Sequence, residues 1–517
     1  LCRRSLLRPP ASCLPMAKPK QQMKYDVVII GSGLGGLICA HEWARRGRSV
    51  LVLERQRQPG GCLQSYRRDG LEFDTGLHYV GGLAEGQPLH EAFERLGLLD
   101  LQWQRLDADG FDRITIREQT FCLAEGYERF VDTLAEHFPQ EREALKDYVR
   151  MLERVGIANA HTQGERIANP LERNDADAVG LMGTNAYDYL CSKFRDPLLV
   201  NVLSGAAMKL ELRRESLPLF TFAHAQSSYI QSSWRLRGGG SLLVQTLTDG
   251  IKRQGGQVVC NADVEELIMH DGRILSAFCR DGEHYEGDVF ISDIHPAQTI
   301  SMVKTDSIQK SVYRKRLLRL ENTTGMFTAS IVLKPDTLPY FNHNKYVYRE
   351  ANVWEPPLGS PTIDRVMVSA RVPEDGATYA RQIDLLTPMP WTLWQHWQDT
   401  KVGRRGEIYE LHKERMADEC IRLAERVIPG LRTMVDKCFT STPLTWRDYT
   451  LSPCGSAFGV RKDCHNPLLT MLSPKTPVPN LFLTGQSLAM HGVEGVTMAA
   501  FNTVESLGFQ KIKTCNL

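Results

Sequence analysis

The hydrophobic pattern between residues 25 and 53 changes from the period of a strand to that of a helix and back. Tyr25–Ile30 and residues 49–53 are short apolar runs rich in Val and Ile, which are typical of strands buried on both faces. Residues 34–46 have helical spacing, and the small side chains of Ala40 and Ala44 allow a helix to lie close to a sheet. The sequence therefore predicts a strand, a helix and a second strand.

The rest of the chain shows the same two periods. Helical spacing predicts helices at residues 88–99, 127–138, 142–155, 187–194, 198–210, 242–254, 407–428 and 492–507. Strands are predicted at residues 257–260, 263–270, 273–280, 284–292, 326–333, 366–372, 439–442 and 480–485, with a hairpin at 111–123 and a polar surface loop at 158–177. Asp271-Gly272 and Asp281-Gly282 separate three of these strands, and Asp-Gly favours the tight turns of antiparallel hairpins.

A glycine motif, Gly31-x-Gly33-x-x-Gly36, joins the first predicted strand to the first helix. In a dinucleotide-binding loop the first glycine permits a tight turn, the second lets the backbone approach a pyrophosphate, and the third allows close packing of helix on strand. Leu34 and Gly35 complete the loop at the helix N-terminus, where unpaired N–H groups and a partial positive charge attract phosphate. The motif therefore predicts a dinucleotide site.

An acidic residue and a second glycine pair follow the second strand. Glu54 lies 18 residues after the last glycine of the motif and can accept hydrogen bonds from an adenosine ribose. Gly60-Gly61, six residues after Glu54, is another place where backbone can meet phosphate. Residues 24–61 resemble the FAD-binding glutathione-reductase-like flavoproteins more than nicotinamide dehydrogenases, and the resemblance implies that Arg55 also contacts the cofactor.

The next segment, GGCLQSYRRDGLEFDTGLHYVGGL at residues 60–83, indicates a family more specifically than the glycine motif does. It resembles the family of phytoene desaturases, carotenoid isomerases and all-trans-retinol 13,14-reductase (retinol saturase). Its core, FDTGLHY at residues 73–79, is most similar to the saturase and isomerase branch. The resemblance implies that His78 and Tyr79 lie on the flavin-side wall, where they are catalytic candidates for proton delivery or substrate positioning. The alternative for His78 is a structural hydrogen bond.

Residues 480–507 resemble the closing FAD motif of the same family, a strand followed by a helix whose N-terminus is aimed at the flavin pyrimidine. The cofactor contacts that the resemblance implies are Gly485, Gln486, Gly492, Val493, Gly495 and Val496, together with the backbone of Val264 at the adenine. Ser487 stands where the family commonly has Asp, which puts a carboxylate contact there in doubt. We expect Glu494, inside the loop, to be exposed to solvent.

Two further segments are candidates for contact with a substrate. Residues 443–459 resemble a segment beside the flavin in the saturase and isomerase branch, which implies that Trp446, Tyr449 and Ser456 lie near the substrate; burial of Trp446 in a core is the alternative. Residues 216–234 are apolar and aromatic with few charges. They form either a buried helix or, as the resemblance implies for lipid substrates, a segment that lines an apolar tunnel or touches a bilayer.

The motifs at the two ends, with the meander between them, predict an α/β fold: a glutathione-reductase-like Rossmann FAD domain, with a parallel sheet and a three-stranded β-meander, and an inserted α+β substrate domain. We assign residues 23–110, 238–300 and 476–517 to the discontinuous FAD-binding domain. Residues 111–237 and 301–475 form the substrate domain, with candidate membrane-contact helices. Residues 1–22 are basic, free of acidic residues and rich in proline, which indicates an unstructured extension or a misplaced start or, alternatively, a transit peptide.

Composition narrows the classes of function. The 517 residues carry a net charge of +1, which gives no sign of nucleic-acid binding. No window of 18 apolar residues free of charge predicts a membrane-spanning helix. The 13 cysteines include no CxxC pair, and the spacing of Cys454, Cys464 and His465 matches no zinc pattern, so free cysteines in a reducing compartment are expected and no metal. We expect a cytoplasmic protein that can attach peripherally to a membrane.

The sequence thus predicts an FAD-dependent oxidoreductase that acts on a C–C single or double bond of an apolar polyene or isoprenoid lipid by hydride transfer at flavin N5. NAD(P)H is a candidate electron donor. Saturase-like reduction, carotenoid desaturation and isomerisation are not separated by the sequence. The alternatives are a flavin amine oxidase and a non-catalytic lipid-binding relative of the Rab GDP-dissociation inhibitor type, which has this architecture without FAD.

Overall fold

Two seven-stranded sheets carry the fold of the residues that the structure describes. A computed structural model describes residues 24–160, 176–354, 362–373 and 377–507. The predicted N-terminal extension and most of the predicted loop at 158–177 lie outside these ranges.

The described strands, in chain order, are β1 (Tyr25–Ile30), β2 (Val50–Leu53), β3 (Ser65–Arg68), β4 (Leu71–Asp74), β5 (Val80–Gly81), β6 (Trp103–Arg105), β7 (Asp112–Ile116), β8 (Gln119–Leu123), β9 (Ser233–Leu236), β10 (Gln257–Val259), β11 (Val264–His270), β12 (Arg273–Cys279), β13 (His284–Ser292), β14 (Gly325–Leu333), β15 (Asn344–Tyr348), β16 (Arg365–Ala370), β17 (Gln382–Met389), β18 (Val435–Ser441) and β19 (Leu481–Leu483).

The described α-helices are α1 (Leu34–Arg45), α2 (Pro88–Leu96), α3 (Tyr127–His137), α4 (Arg142–Ala160), α5 (Ala176–Met182), α6 (Ala186–Lys193), α7 (Pro197–Ser204), α8 (Leu219–Gln231), α9 (Gly240–Arg253), α10 (Pro296–Met302), α11 (Asp306–Gln309), α12 (Val312–Arg319), α13 (Glu407–Ala424), α14 (Leu431–Met434), α15 (Pro443–Thr450), α16 (Pro467–Thr470) and α17 (Gly492–Ser506). Among the described residues, no helix combines the length and the apolar character that crossing a membrane requires.

The first sheet has the order β10-β2-β1-β13-β12-β11, and β19 also pairs with β13. β10, β2, β1, β13 and β19 are parallel, whereas β11, β12 and the start of β13 form an antiparallel meander. The apolar run of β1 is buried on both faces, as a strand inside a parallel sheet requires. On one side of the sheet it is covered by α1, α9 and α17. The predicted α/β fold, with a Rossmann-type parallel sheet and a meander, is confirmed.

The second sheet has the order β18-β14-β17-β16-β15-β7-β8 and is antiparallel except where β15 meets β7. Helix α13 packs against one face of it. The strands of the first sheet come from the stretches assigned to the cofactor domain, and those of the second from the stretches assigned to the substrate domain. A small sheet, β5-β9-β6, joins segments from both sides of the predicted boundary at residue 237. The domain division therefore remains a prediction.

Residues 219–231 of the apolar segment 216–234 form α8, whose side chains are mostly buried among α3, α4, α5 and α6, as the buried-helix alternative expects. β15 and β17 were not predicted. Residues 443–450, for which no element was predicted, form α15, which begins with a capping box in which Thr442 and Thr445 exchange hydrogen bonds.

Candidate active site

A cavity of about 350 Å³ lies where elements of both large sheets meet α8 and α17. Glycines from the two ends of the chain line the same cavity: Gly31 and Gly33 from the β1–α1 loop, and Gly492 and Gly495 from the start of α17. The predicted cofactor-binding residues that line it are Gly31, Gly33, Leu34, Glu54, Arg55, Gly60, Gly61, Val264, Gln486, Gly492, Val493, Gly495 and Val496. The sequence motifs thus converge on one space, although they lie more than 450 residues apart.

Gly35, Gly36 and Gly485 instead lie behind the cavity wall. A Cβ atom at Gly36 would collide with the carbonyl oxygen of Gly31, so only glycine permits this approach of α1 to the loop. A Cβ at Gly35 would lie 2.6 Å, and one at Gly485 2.5 Å, from Oδ1 of Asp293. These glycines therefore shape the wall by making room for the Asp293 carboxylate.

Asp293 follows β13 at the carboxyl end of the parallel sheet and lines the cavity. Its carboxylate accepts backbone hydrogen bonds from the N–H groups of Gly33 and Gly36. Burial raises its pKa from 3.8 to about 7; the Glu54 carboxylate adds to the rise, and the two N–H donors only partly oppose it. An acid that is half ionised near neutral pH thus lies at the start of α1, where a phosphate would bind.

Glu54 and Gly61 complete this half of the cavity. The Glu54 carboxylate accepts hydrogen bonds from the Ser32 N–H at 3.1 Å and the Gln56 N–H at 2.7 Å, and also from the Ser32 hydroxyl. Gly61 has φ +54°, and a Cβ there would lie 3.0 Å from Cα of Gly33. The two glycine loops therefore face each other at backbone distance. This narrow cradle of backbone fits a dinucleotide pyrophosphate.

The other half of the cavity is apolar. Its wall contains Met208, Leu210, Met326, Met367, Leu386, Ala457 and Phe458. Of the predicted substrate residues, Trp446 and Tyr449 line the cavity, and Tyr449 is half-exposed at its edge, where its carbonyl accepts a hydrogen bond from Arg55. Ser456 lies off the cavity: its hydroxyl is buried and bonded to the Thr323 hydroxyl and the Gly459 carbonyl.

A buried polar cluster lies in the wall of the apolar half around Tyr79. The Tyr79 hydroxyl donates to Asp112 at 2.9 Å, shares a hydrogen bond with Tyr346 at 2.8 Å, and accepts from Lys209 Nζ at 2.5 Å. Lys209 also lies 3.3 Å from the ring centroid of Tyr229 and 3.8 Å from the Asp112 carboxylate. Burial lowers the pKa of Lys209 to about 8, against the opposing pull of Asp112.

His78 faces a different carboxylate. Its Nδ1 lies 3.7 Å from Oδ2 of Asp384 on β17, and Oδ1 of the same carboxylate accepts a 2.6 Å hydrogen bond from Ser330. Burial raises the pKa of Asp384, and His78 opposes the rise. Nε2 of His78 is buried and has no hydrogen-bond partner among the described residues, and His78 lines the cavity. This ring nitrogen is therefore available to a molecule in the cavity.

Glu494 is buried, although the sequence analysis expects it to be exposed to solvent. It is 8% exposed, it lines the cavity, and its carboxylate accepts a hydrogen bond from the Ser228 hydroxyl of α8. His224, also on α8, has Nε2 3.8 Å from the same carboxylate. The N-terminus of α17 is therefore held against α8 by buried polar groups, and Glu494 belongs to the site.

The sequence interpretation missed Lys209, Asp293 and Glu494. A signal existed for two of them. Lys209 is a single charge near the end of the apolar stretch 198–210, and Asp293 follows the carboxyl end of a predicted strand, the usual place for ligand contacts in open α/β sheets.

A group of side chains has the spacing of metal ligands. Asp463, Cys464 and His465 have ligand atoms within 4.8 Å of one another, but His465 Nε2 is hydrogen-bonded to the Glu215 carbonyl.

Comparisons with known proteins first define the class of protein by its fold. Residues 29–96 match the family described as an NAD(P)-binding Rossmann-like domain. A putrescine oxidase double mutant shares the fold, with a TM-score of 0.63 and 14% identity over 94% of this chain and 99% of that chain. The matched segment and the shared fold define the class as an α/β protein with a Rossmann-type dinucleotide-binding domain.

Two relatives that align over most of the chain give a more specific comparison than the domain match does. The chain is similar to all-trans-retinol 13,14-reductase from Rattus norvegicus, with 26% identity over 92% of this chain and 84% of that protein. It is also similar to chloroplastic prolycopene isomerase 2 from an Oncidium hybrid cultivar, with 24% identity over 96% of this chain and 86% of that protein. The resemblance to the saturase and isomerase branch, predicted from residues 60–83, is confirmed.

Proposed function

We propose that the protein is an FAD-dependent oxidoreductase that acts on a C–C single or double bond of an apolar polyene or isoprenoid lipid. The observation that carries the proposal is the single cavity, which has a backbone cradle of two glycine loops in one half and aliphatic and aromatic walls in the other. A ligand pocket with apolar walls and few polar groups suits an extended hydrocarbon. The names of the relatives, a retinol reductase and a carotenoid isomerase, support this substrate class.

The residues present fit FAD. Gly31, Gly33 and Gly61 would hold the pyrophosphate, Glu54 and Val264 would lie at the adenosine, and the start of α17 at the flavin pyrimidine. When bound, FAD would supply hydride transfer at N5. NAD(P)H is the proposed electron donor.

The protein's own contribution to a C=C reduction is the proton. Beside the hydride that the cofactor would supply to one alkene carbon, the reduction needs a proton on the other carbon, and the Lys209 ammonium at the cavity wall would supply it. In that step an N–H bond of the ammonium breaks, the alkene electron pair forms the new C–H bond, and the neutral amine regains a proton from solvent. Tyr79 holds Nζ in place, because its hydroxyl accepts from Lys209 while donating to Asp112.

His78 is the second candidate proton carrier, since its Nε2 is buried at the cavity without a partner among the described residues. Trp446 and Tyr449 would contact the lipid. The same residues run in the opposite sense would serve desaturation, with neutral Lys209 as the base. An amine oxidase activity is less favoured, because the Lys209 ammonium would repel a cationic amine.

The decisive experiment is anaerobic reduction of the purified protein with NADPH, NADH or dithionite, followed by addition of retinoids, carotenoids and other unsaturated lipids. We expect a yellow protein. For reduction, one lipid class reoxidises the flavin and gains two hydrogens; for isomerisation, the flavin stays reduced and the lipid keeps its mass but changes its double-bond geometry, which chromatography and the lipid absorption spectrum detect. A colourless protein that cannot be reconstituted with FAD would instead favour a lipid carrier. If no lipid alters the flavin spectrum, its own mass or its own double-bond geometry, the polyene proposal fails.

Uptake of such a lipid leads us to propose peripheral attachment to a membrane. Most side chains of α8 are buried, which does not support this helix as the attachment surface. Any attachment must use another face.

A further inference from the structure

Two short helices expose aliphatic side chains on one surface. Val312 on α12 is 82% exposed, and Leu468 and Leu469 on α16 are 71% and 48% exposed. We refer to these three residues as the α12–α16 face. Single exposed aliphatic residues are common, but a contiguous exposed group on a folded protein indicates an interaction surface.

Arg316 joins the two helices. Its guanidinium donates to the backbone carbonyls of Leu468 at 3.0 Å and Leu469 at 2.8 Å. On α12, Val312, Lys315 and Arg319 share one side of the helix because they are spaced three and four residues apart. The leucine pair therefore lies beside the side of α12 that carries Val312, and the three aliphatic residues form one surface.

The surface is basic although the whole chain is nearly neutral. Arg314, Lys315, Arg316 and Arg319 fall between Asp306 and Glu321, with no acidic residue among them, whereas the net charge of the chain is only +1. Lys310, just before α12, is paired with Asp306 at 2.7 Å. Basic side chains around exposed aliphatic ones complement a membrane of anionic lipids, where the charges meet headgroups and the aliphatic groups enter the acyl boundary.

The α12–α16 face lies on elements that also support the cavity. Helix α10 packs against α12, and its last residue, Met302, lines the cavity. At the other helix, the Thr470 carbonyl accepts a 2.9 Å hydrogen bond from the buried Lys462 ammonium, which also binds the Ser487 carbonyl at 2.9 Å. Ser487 lines the cavity as well.

We propose that the α12–α16 face docks on the surface of a bilayer that contains anionic phospholipid. A bilayer accepts shallow insertion of leucine and valine side chains without a shaped groove, and none is needed on this convex pair of helices. The inference deepens the peripheral attachment in the proposed function, but it does not depend on the cofactor or on the reaction.

A second exposed aliphatic group provides the matched control. Ile408 and Leu411 near the start of α13 are 74% and 56% exposed. Their helix carries Glu407 and Glu410 in its first turn, so its charge is mixed. This group matches the leucine pair in exposure but lacks the basic surroundings.

The test is sedimentation of the purified full-length chain with vesicles of phosphatidylcholine alone or with 30% phosphatidylserine, a composition chosen to supply anionic charge. We expect binding to the mixed vesicles, a loss of roughly tenfold or more in Leu468→Ser/Leu469→Ser and in Lys315→Glu/Arg319→Glu, and weakening at high salt. Ile408→Ser/Leu411→Ser should bind like the unchanged protein. Thermal melting of each variant shows whether it is folded.

Three results would overturn the proposal: no binding to mixed vesicles, equal binding to neutral vesicles, or equal losses in the control variant. Binding to polyglutamate beads but not to vesicles would point instead to an acidic protein partner. Flavin content and turnover are measured on the same samples. A failure of the proposed activity, with vesicle binding intact, would therefore be distinguishable from a failure of the docking surface.

Discussion

The charge of Asp293, in the cofactor half of the cavity, depends on the pH. Replacing Asp293 with Asn tests this dependence directly. Its pKa rises from 3.8 to about 7 on folding because the carboxylate leaves water and lies near Glu54. Between these two pH values the unfolded chain is ionised while the folded protein still holds the proton. The stability linked to this group is therefore complete below pH 3.8 and is lost as the pH rises to about 7.

The magnitude follows from the two pKa values. Each unit of difference is worth about 1.4 kcal/mol, so the full cost of ionising Asp293 is about 4 kcal/mol at most, and water in the cavity reduces it to about 2–4 kcal/mol. Asp293→Asn keeps an acceptor for the Gly33 and Gly36 N–H groups and cannot ionise. The free energy of unfolding of the variant, relative to the unchanged protein, should therefore increase by about this amount between pH 4.5 and pH 8.

Urea unfolding of the cofactor-free protein at several pH values measures the effect, and FAD affinity provides a second readout. Because an ionised Asp293 would repel a pyrophosphate at the start of α1, FAD should bind the variant more tightly at pH 8 and about equally at pH 5.5. Asp271→Asn, at an exposed turn of the same sheet, is the control. A stability difference that stays constant from pH 4.5 to 8 would refute the reasoning.

Two further predictions concern single residues of the cavity. Lys209→Met should lower the rate of alkene reduction by about 10²–10³-fold, and the decline in rate above pH 8, where the ammonium of the unchanged protein loses its proton, should disappear from the pH profile. Gly61→Ala should weaken FAD binding by roughly tenfold or more, because φ of Gly61 is +54° and the added Cβ would lie 3.0 Å from Cα of Gly33. Gly70→Ala, with φ +77° but no atom within 4 Å, should bind FAD normally.

The parts of the site that the sequence predicts are those fixed by local chain geometry. The β1–α1 loop, the Glu54 spacing and the glycines before α17 follow from the residue types that a tight turn or a close backbone approach permits. Each motif can be identified without its partner. Their meeting in one cavity also followed, because a parallel strand order brings the carboxyl ends of β1, β13 and β19 to the same edge.

The parts that were missed depend on partners distant in sequence. Glu494 is buried because Ser228, 266 positions away, binds it, and Lys209 is held by Tyr79 across 130 positions. A single-sequence pattern assigns Glu494 to solvent and gives no partner for Lys209. β17 was missed for a related reason: it contains Asp384 and Pro388, which weaken a strand signal, and only its pairing with β14 and β16 forms the strand.

The apolar half of the cavity depends on strands of the second sheet. Met326, Met367 and Leu386 reach the cavity from β14, β16 and β17, whereas the backbone cradle belongs to the first sheet. The small β5-β9-β6 sheet and the Ser228–Glu494 hydrogen bond join the two parts at the same place. A cofactor held by the first sheet would therefore present its ring to a chamber that the inserted segments build. Changes in that chamber should alter which lipid reacts while leaving cofactor binding intact.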